Sequence, residues 1–235
     1  MNEKDVLQLI KDRKSSRGPY DGDRPIDPTV LKNILEAATW APTAHNMQNF
    51  EIIVVDDKSL LKEMSEMKST VTPAFLQENY PQLSFSEEEL KKRKTGILAN
   101  RFPPSWLTPE AQQGKLKQVP SGLGELISRG PALLLVLYDP SRRAPDSEGD
   151  ALGIMSLGFM IENMWLMATA QGLSFHVMTA FGNEPLASEV KKRLNIPSSL
   201  SIVLGCRLGY SSAGRDMLRV RRDLDDFVSY NQYED

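Results

Sequence analysis

Two short stretches of this chain carry guanidinium groups at alternate positions. Near the start, RKSSR sets Arg13, Lys14, Ser15 and Arg17 just after a helical pattern; near the end, RVRR sets Arg219 and Arg221 two apart. An extended backbone turns alternate side chains to one side, so residues 13, 15 and 17 would offer guanidinium, hydroxyl and guanidinium in a row. Guanidinium forks pair bidentately with phosphate, and several converging on one dianion hold it in a fixed orientation. Each cluster alone also fits an ordinary solvated, charged face. The sequence has neither a Walker motif nor GxGxxG, so side chains rather than a glycine-rich loop would hold any phosphate. Nucleic acid fits poorly, because Asp223, Asp225 and Asp226 follow the second cluster and no aromatic residues interleave with the bases.

The third candidate is the connection WAPTAHNMQNFEIIVV at residues 40–55. A bland loop takes its turns from Gly, Pro, Asp or Ser, whereas this one crowds Thr43, His45, Asn46, Gln48 and Asn49 between two apolar elements. His45 either touches a substrate or hydrogen-bonds to nearby backbone. His176, in a strand-like run, reads as a satisfied core or interface residue. Cys206, in SIVLGCRLGY, reads as strand packing with no flanking base to activate it. One cysteine and two histidines make no zinc cluster and no internal disulfide, which leads us to expect no metal.

These residues must be positioned by regular elements. Residues 4–13 carry Val6, Leu7, Leu9 and Ile10 in helical register. Asp27-Pro28 is a helix start, with Asp as N-cap and Pro in the first turn. Strand-like runs follow at 52–55, 132–138, 175–178 and 201–207. Residues 151–171 have helical length and are apolar on nearly every face, so they must be buried on every face. In a chain this small, that implies a subunit interface filled by Met155, Met160, Met164 and Met167, with Trp165 as packing; a central core helix of a monomer is the alternative. Residues 58–124 form a helical excursion or lid within an otherwise single domain spanning 1–235. Its charge run EEELKKRK and its aromatic residues Phe75, Tyr80, Phe102 and Trp106 have no fixed spacing; they either face a ligand or pack.

The chain has 235 residues, 40% hydrophobic and 25% charged, with net charge −3, as in globular proteins with no global attraction to nucleic acid or anionic membrane. The N-terminal MNEKDVLQLIKDRK lacks the apolar core of a signal peptide, and ALLLVLY is too short to span a bilayer. The expectation is a cytoplasmic protein.

Taken in order, Arg13-x-Ser15-x-Arg17, AATWAPTAHNMQNFEIIVV, the apolar helix, GLSFHVMTAF and RVRRDLDDFV resemble the FMN-dependent nitroreductase family, over about 5–57 and 125–230. The family pattern SPSxxNxQPW reads here as APTAHNMQNF, with Asn49 and Phe50 in place of Pro-Trp. The resemblance implies an α+β fold, a nitroreductase-like mixed sheet flanked by helices, in an intertwined homodimer with FMN at the interface. It implies that Arg13, Ser15, Arg219 and Arg221 hold the FMN phosphate, that Lys14 belongs to the cofactor site, and that Arg17 lies at the pyrimidine edge of the ring. It further implies that Pro42, Thr43, Ala44, Asn46 and Gln48 contact the partner subunit's flavin. Val177, Met178, Thr179 and Ala180 would line the ring, with the Thr179 amide toward N5; Thr179 and Arg17 are the implied catalytic positions. A second ring-edge cation is not evident. The implied activity passes hydride from NADH or NADPH to a nitroaromatic, quinone or activated enone by a ping-pong route. Reductive dehalogenation, flavin breakdown, a non-catalytic flavin-binding module and a simple anion binder remain alternatives.

Overall fold

The run ALLLVLY at 132–138 is continuously apolar because helices cover both faces of the strand it forms. The computed structural model of the chain describes residues 3–143, 149–211 and 218–233. Along it come α1 (Glu3–Asp12), α2 (Pro28–Thr39), β1 (Phe50–Val55) and α3 (Lys58–Glu66). Next are β2 (Thr70–Val71), α4 (Pro73–Leu83), β3 (Ser84–Phe85), α5 (Glu87–Arg93), β4 (Ile97–Leu98), α6 (Pro109–Gln112) and β5 (Val119–Pro120). The last are α7 (Leu123–Ser128), β6 (Ala132–Tyr138), α8 (Ala151–Ala170), β7 (Ser174–Met178), α9 (Leu186–Arg193) and β8 (Ser201–Gly209).

The elements divide into two units, Met1–Ser69 with Leu123–Ala213 and Thr70–Gly122 with Gly214–Asp235. The first is an α+β unit built on a sheet of order β1-β6-β8-β7. Neighbouring strands are antiparallel throughout, and a parallel bridge from Ser15 to Phe175 makes the β7 edge locally mixed. Alternation along β6 splits the core in two. Leu134, Val136 and Tyr138 join α2 and α8 on one face. Leu133, Leu135 and Leu137 join side chains of α3, α7 and α9 on the other.

The expected start of α2 is present: the Asp27 carboxylate accepts from the amides of Thr29 (2.7 Å) and Val30 (3.4 Å). The long helix α8 behaves differently from the all-round burial its composition implies. Gly153, Ser156, Leu157, Met160, Ile161, Met164 and Ala168 are buried, whereas Leu152, Ile154, Met155 and Phe159 are exposed. Met160 and Met164 therefore belong to this chain's own core, and Met155 lies on the uncovered face. By length and composition alone α8 could cross a membrane; here one face is seated on the sheet core.

The excursion expected over 58–124 is shared between the units, since Leu61 and Met64 of α3 pack in the first. In the second unit the charge run becomes α5, with Glu87, Glu88 and Glu89 in the first turn and Lys91, Lys92 and Arg93 in the last. That order complements the helix dipole, and a Ser86/Glu89 capping box closes the start. The aromatic residues there pack against one another: Phe75 on Trp106, Trp106 on Phe102, and Phe102 on Tyr80, with centroids 5.8, 5.6 and 4.9 Å apart.

Candidate functional site

After α1 the chain runs extended along the outer edge of β7. The Ser16 amide donates to the Phe175 carbonyl at 3.1 Å, and Ser15 forms the parallel bridge to Phe175. Because the bridge is parallel, Arg17 follows Ser15 in the direction in which Val177 follows Phe175. Ser16 is buried, Arg13, Ser15 and Arg17 are half-buried, and Lys14 is exposed. The expected alternate presentation is thus met locally. Arg13 is held in place: its Nε donates to Glu162 Oε1 at 3.2 Å, and its guanidinium lies 4.5 Å from the Trp165 ring centroid. Trp165 stacks on Phe175 at 5.2 Å and donates its indole N–H to the Lys14 carbonyl at 3.3 Å.

Beneath this segment lies a polar layer. The Arg207 guanidinium donates to the carbonyls of Ser16 and Gly18, and the Tyr20 hydroxyl also donates to the Ser16 carbonyl at 3.0 Å. Burial raises the Tyr20 phenol to about 12, so it remains a donor. His176 pairs with Arg207 across β7 and β8. Burial first, then the charges of Arg17 and Arg207, pull its imidazole down to about 3. Within one chain His176 is not a satisfied core residue, because its buried Nδ1 has no hydrogen-bond partner among the described residues, and the interface alternative stays open. Cys206 is fully buried strand packing, as expected, and burial pushes its thiol up.

β7 ends in a 3-10 turn, Thr179–Gly182. Phe181 is fully buried and anchors this turn. Thr179 is left exposed, with Val177 and Ala180 half-buried. Met178 points into the core, so only its backbone remains for a ligand.

The polar loop adopts three left-handed residues without glycine: His45, Asn46 and Gln48 have φ of 49°, 54° and 45°. Each is a costly conformation for such a residue. The cost is offset by a local web. Thr43 Oγ1 accepts from the Gln48 amide at 3.1 Å, Gln48 Nε2 donates to Asn46 Oδ1 at 3.2 Å, and the Ala44 amide donates to Ser156 Oγ at 3.2 Å. Pro42, His45, Asn46 and Gln48 remain exposed. Asn49 instead turns inward, and its side chain is buried.

The fold therefore sets Arg13, Lys14, Ser15 and Arg17 beside the edge strand β7, which leads on through Val177 and Met178 to Thr179 and Ala180. It does not bring loop 42–48 to them. The loop is anchored on α8 at Ser156, whereas the cationic segment is anchored at Trp165, about 14 Å farther along the helix axis at the α-helical rise per residue. Arg219 and Arg221 belong to the second unit, where both are exposed. The acids after them engage Lys94, which pairs with Asp223 and, at 3.5 Å, with Asp226. Three residues that shape the site, Glu162, Trp165 and Arg207, were not among the sequence candidates. The usable signal was one acid inside a greasy helix and one cation inside a greasy strand.

Fold neighbours agree with this architecture. The NADPH:FMN oxidoreductase of Vibrio harveyi, solved with NAD+, aligns with TM-score 0.63 at 18% identity, over 98% of this chain and 78% of that one. An FMN-dependent nitroreductase of Clostridium difficile aligns with TM-score 0.60 at 18% identity, over 97% and 99%. A protein of Archaeoglobus fulgidus whose name gives it as an NADH dehydrogenase/NAD(P)H nitroreductase is 42% identical over 62 residues. That match covers 26% of this chain and 34% of the relative, about a third of its length. The model of the nitroreductase family matches residues 10–210, and this chain belongs to that family.

Proposed function

We propose that the chain is an FMN-dependent oxidoreductase that takes hydride from NADH or NADPH. The observation that carries the reading is the Ser15–Phe175 bridge, which lines a cationic, hydroxyl-bearing segment along the strand leading to Thr179. Its donors suit a phosphate monoester: guanidinium at Arg13, ammonium at Lys14 and hydroxyl at Ser15, with no carboxylate in the stretch 13–17. Charge-assisted bonds of this type contribute about 1.5–3 kcal/mol each. FMN, when bound, supplies the two-electron chemistry that these side chains lack. The chain's own residues orient and polarise. Arg17 would hold a permanent cation toward the ring edge where negative charge develops, and the Thr179 amide would donate toward N5.

In this reading the functional unit is a homodimer. Loop 42–48 is preorganised yet stands apart from its own cationic edge, and α8 exposes Leu152, Ile154, Met155 and Phe159. A second copy covers that face and brings Pro42, Thr43, Ala44, Asn46 and Gln48 over the first copy's flavin. Donor and acceptor nucleotide-sized or aromatic molecules occupy the pocket in turn, the acceptor being a nitroaromatic, quinone or activated enone.

The purified protein is expected to be yellow, to release FMN on denaturation, and to bleach anaerobically with NADH or NADPH. A colourless protein that takes up no added FMN overturns the reading.

A further inference from the structure

Arg207 is 1% exposed, in the middle of a strand whose neighbours are Cys206 and Leu208. A buried charge normally has an ionic partner, because removing an ion from water costs several kcal/mol. Arg207 has no carboxylate partner among the described residues. Its guanidinium donates to three backbone carbonyls: Leu126 at 2.8 Å, Ser16 at 3.2 Å and Gly18 at 2.9 Å. The guanidinium also lies 3.8 Å from the Tyr20 ring centroid, and Nε has no hydrogen-bond partner among the described residues. Gly130 gives its stem room, since a Cβ there would meet Arg207 Cγ at 3.1 Å.

Two of the three carbonyls flank Arg17, and the Ser16 carbonyl takes a second bond from Tyr20. A core that needed only to be filled would use leucine at position 207, as β8 does at 204 and 208. The guanidinium does two things leucine cannot: it fixes the direction of the Ser16–Gly18 backbone, and it adds beneath it a positive charge that no carboxylate among the described residues pairs.

We propose that Arg207 is a positioning residue for phosphate recognition: it clamps the Ser16–Gly18 carbonyls from below, so that Arg13, Ser15 and Arg17 stand preorganised for a dianion. Preorganisation lowers the ordering cost of binding, and the buried charge gains its counter-charge when the phosphate arrives. The inference rests on the flavin reading above and extends it to a residue that touches no ligand.

The test compares equilibrium binding of FMN and of riboflavin, which lacks the phosphate, to the full-length wild type and to Arg207→Met, Arg207→Lys and Tyr20→Phe, alongside apo-protein melting curves. Wild type should prefer FMN strongly. Arg207→Met should lose at least tenfold in FMN affinity while riboflavin affinity changes less than twofold, so the preference collapses. Arg207→Lys and Tyr20→Phe should fall between, the first because one ammonium cannot span all three carbonyls. If Arg207→Met does not fold, the other two variants decide, and an intact FMN preference in both overturns the proposal. A lower melting temperature with unchanged preference also overturns it, reducing Arg207 to a core strut. Wild type that binds neither flavin removes the parent reading and this one together, an outcome distinct from a retained preference.

Discussion

Arg13 and Trp165 are stacked, guanidinium against indole, while the same indole N–H holds the carbonyl of Lys14. The ring thus fixes both the side chain of one candidate phosphate ligand and the backbone of the next. A free arginine has about 2 kcal/mol of rotamer entropy to lose on binding; here much of that loss precedes the ligand. Trp165→Leu should therefore weaken FMN binding about tenfold by fluorescence titration, with riboflavin affinity nearly unchanged. Glu162→Gln should act in the opposite direction, because it removes the carboxylate that competes for Arg13; a several-fold tighter FMN complex is expected.

Gly153, in the first turn of α8, tests which of two effects dominates. Alanine is favoured over glycine inside a helix by about 1 kcal/mol, so on propensity alone Gly153→Ala would stabilise. A Cβ at 153, however, would lie 2.7 Å from Tyr138 Oη and 2.8 Å from Asn49 Nδ2. Both neighbours are buried, and the Tyr138 hydroxyl is committed to Asp150 at 2.8 Å. Overpacking of this type costs about 1–3 kcal/mol, so the net effect should be a loss. Denaturant unfolding should show a lower midpoint, and a raised midpoint contradicts the packing argument.

The elements were legible where one physical signal acted alone. β6 could be read to the residue because both of its faces are covered, and α2 because Asp27 and Pro28 form a strong start. The cationic segment was legible because alternation implies extension, and Ser15 does pair as a strand. What escaped were residues whose meaning depends on a partner distant in sequence. Arg207 resembles a strand-end charge until Ser16 and Gly18 are folded onto it, and Trp165 looks like filler until Arg13 stacks on it. Loop 42–48 was legible as a candidate, but its backbone path was not. Its left-handed residues are His, Asn and Gln, not glycine, so no turn signal announced the path, and side-chain bonds from Thr43 and Ser156 hold it there.

His176 predicts a specific acid sensitivity. Its folded-state pKa lies near 3 against an ordinary 6.5, so the unfolded chain binds a proton that the folded chain refuses. Stability attributable to His176 is complete above pH 6.5 and declines as pH falls from there toward 3. The slope approaches about 1.4 kcal/mol per pH unit for one proton. His176→Gln removes the titration while keeping a polar side chain. Urea midpoints measured between pH 7.5 and 4.5 should fall less steeply for the variant than for wild type; parallel profiles contradict a neutral, buried His176.

The exposed face of α8 couples assembly to cofactor. Phe159 is 47% and Met155 55% exposed, on a helix whose opposite face is core, and an aspartate at either position would be costly only if that face becomes buried. In the dimer proposed above, a charge there opposes association and leaves each loop 42–48 without the neighbouring flavin it serves. Phe159→Asp should therefore elute as a monomer, melt in its apo form close to wild type, and retain little FMN at micromolar concentration. The paired outcome is the informative one. A monomer that still binds FMN as wild type does places the whole flavin site within one chain, whereas an FMN-loaded dimer places the subunit contact on a face other than this one.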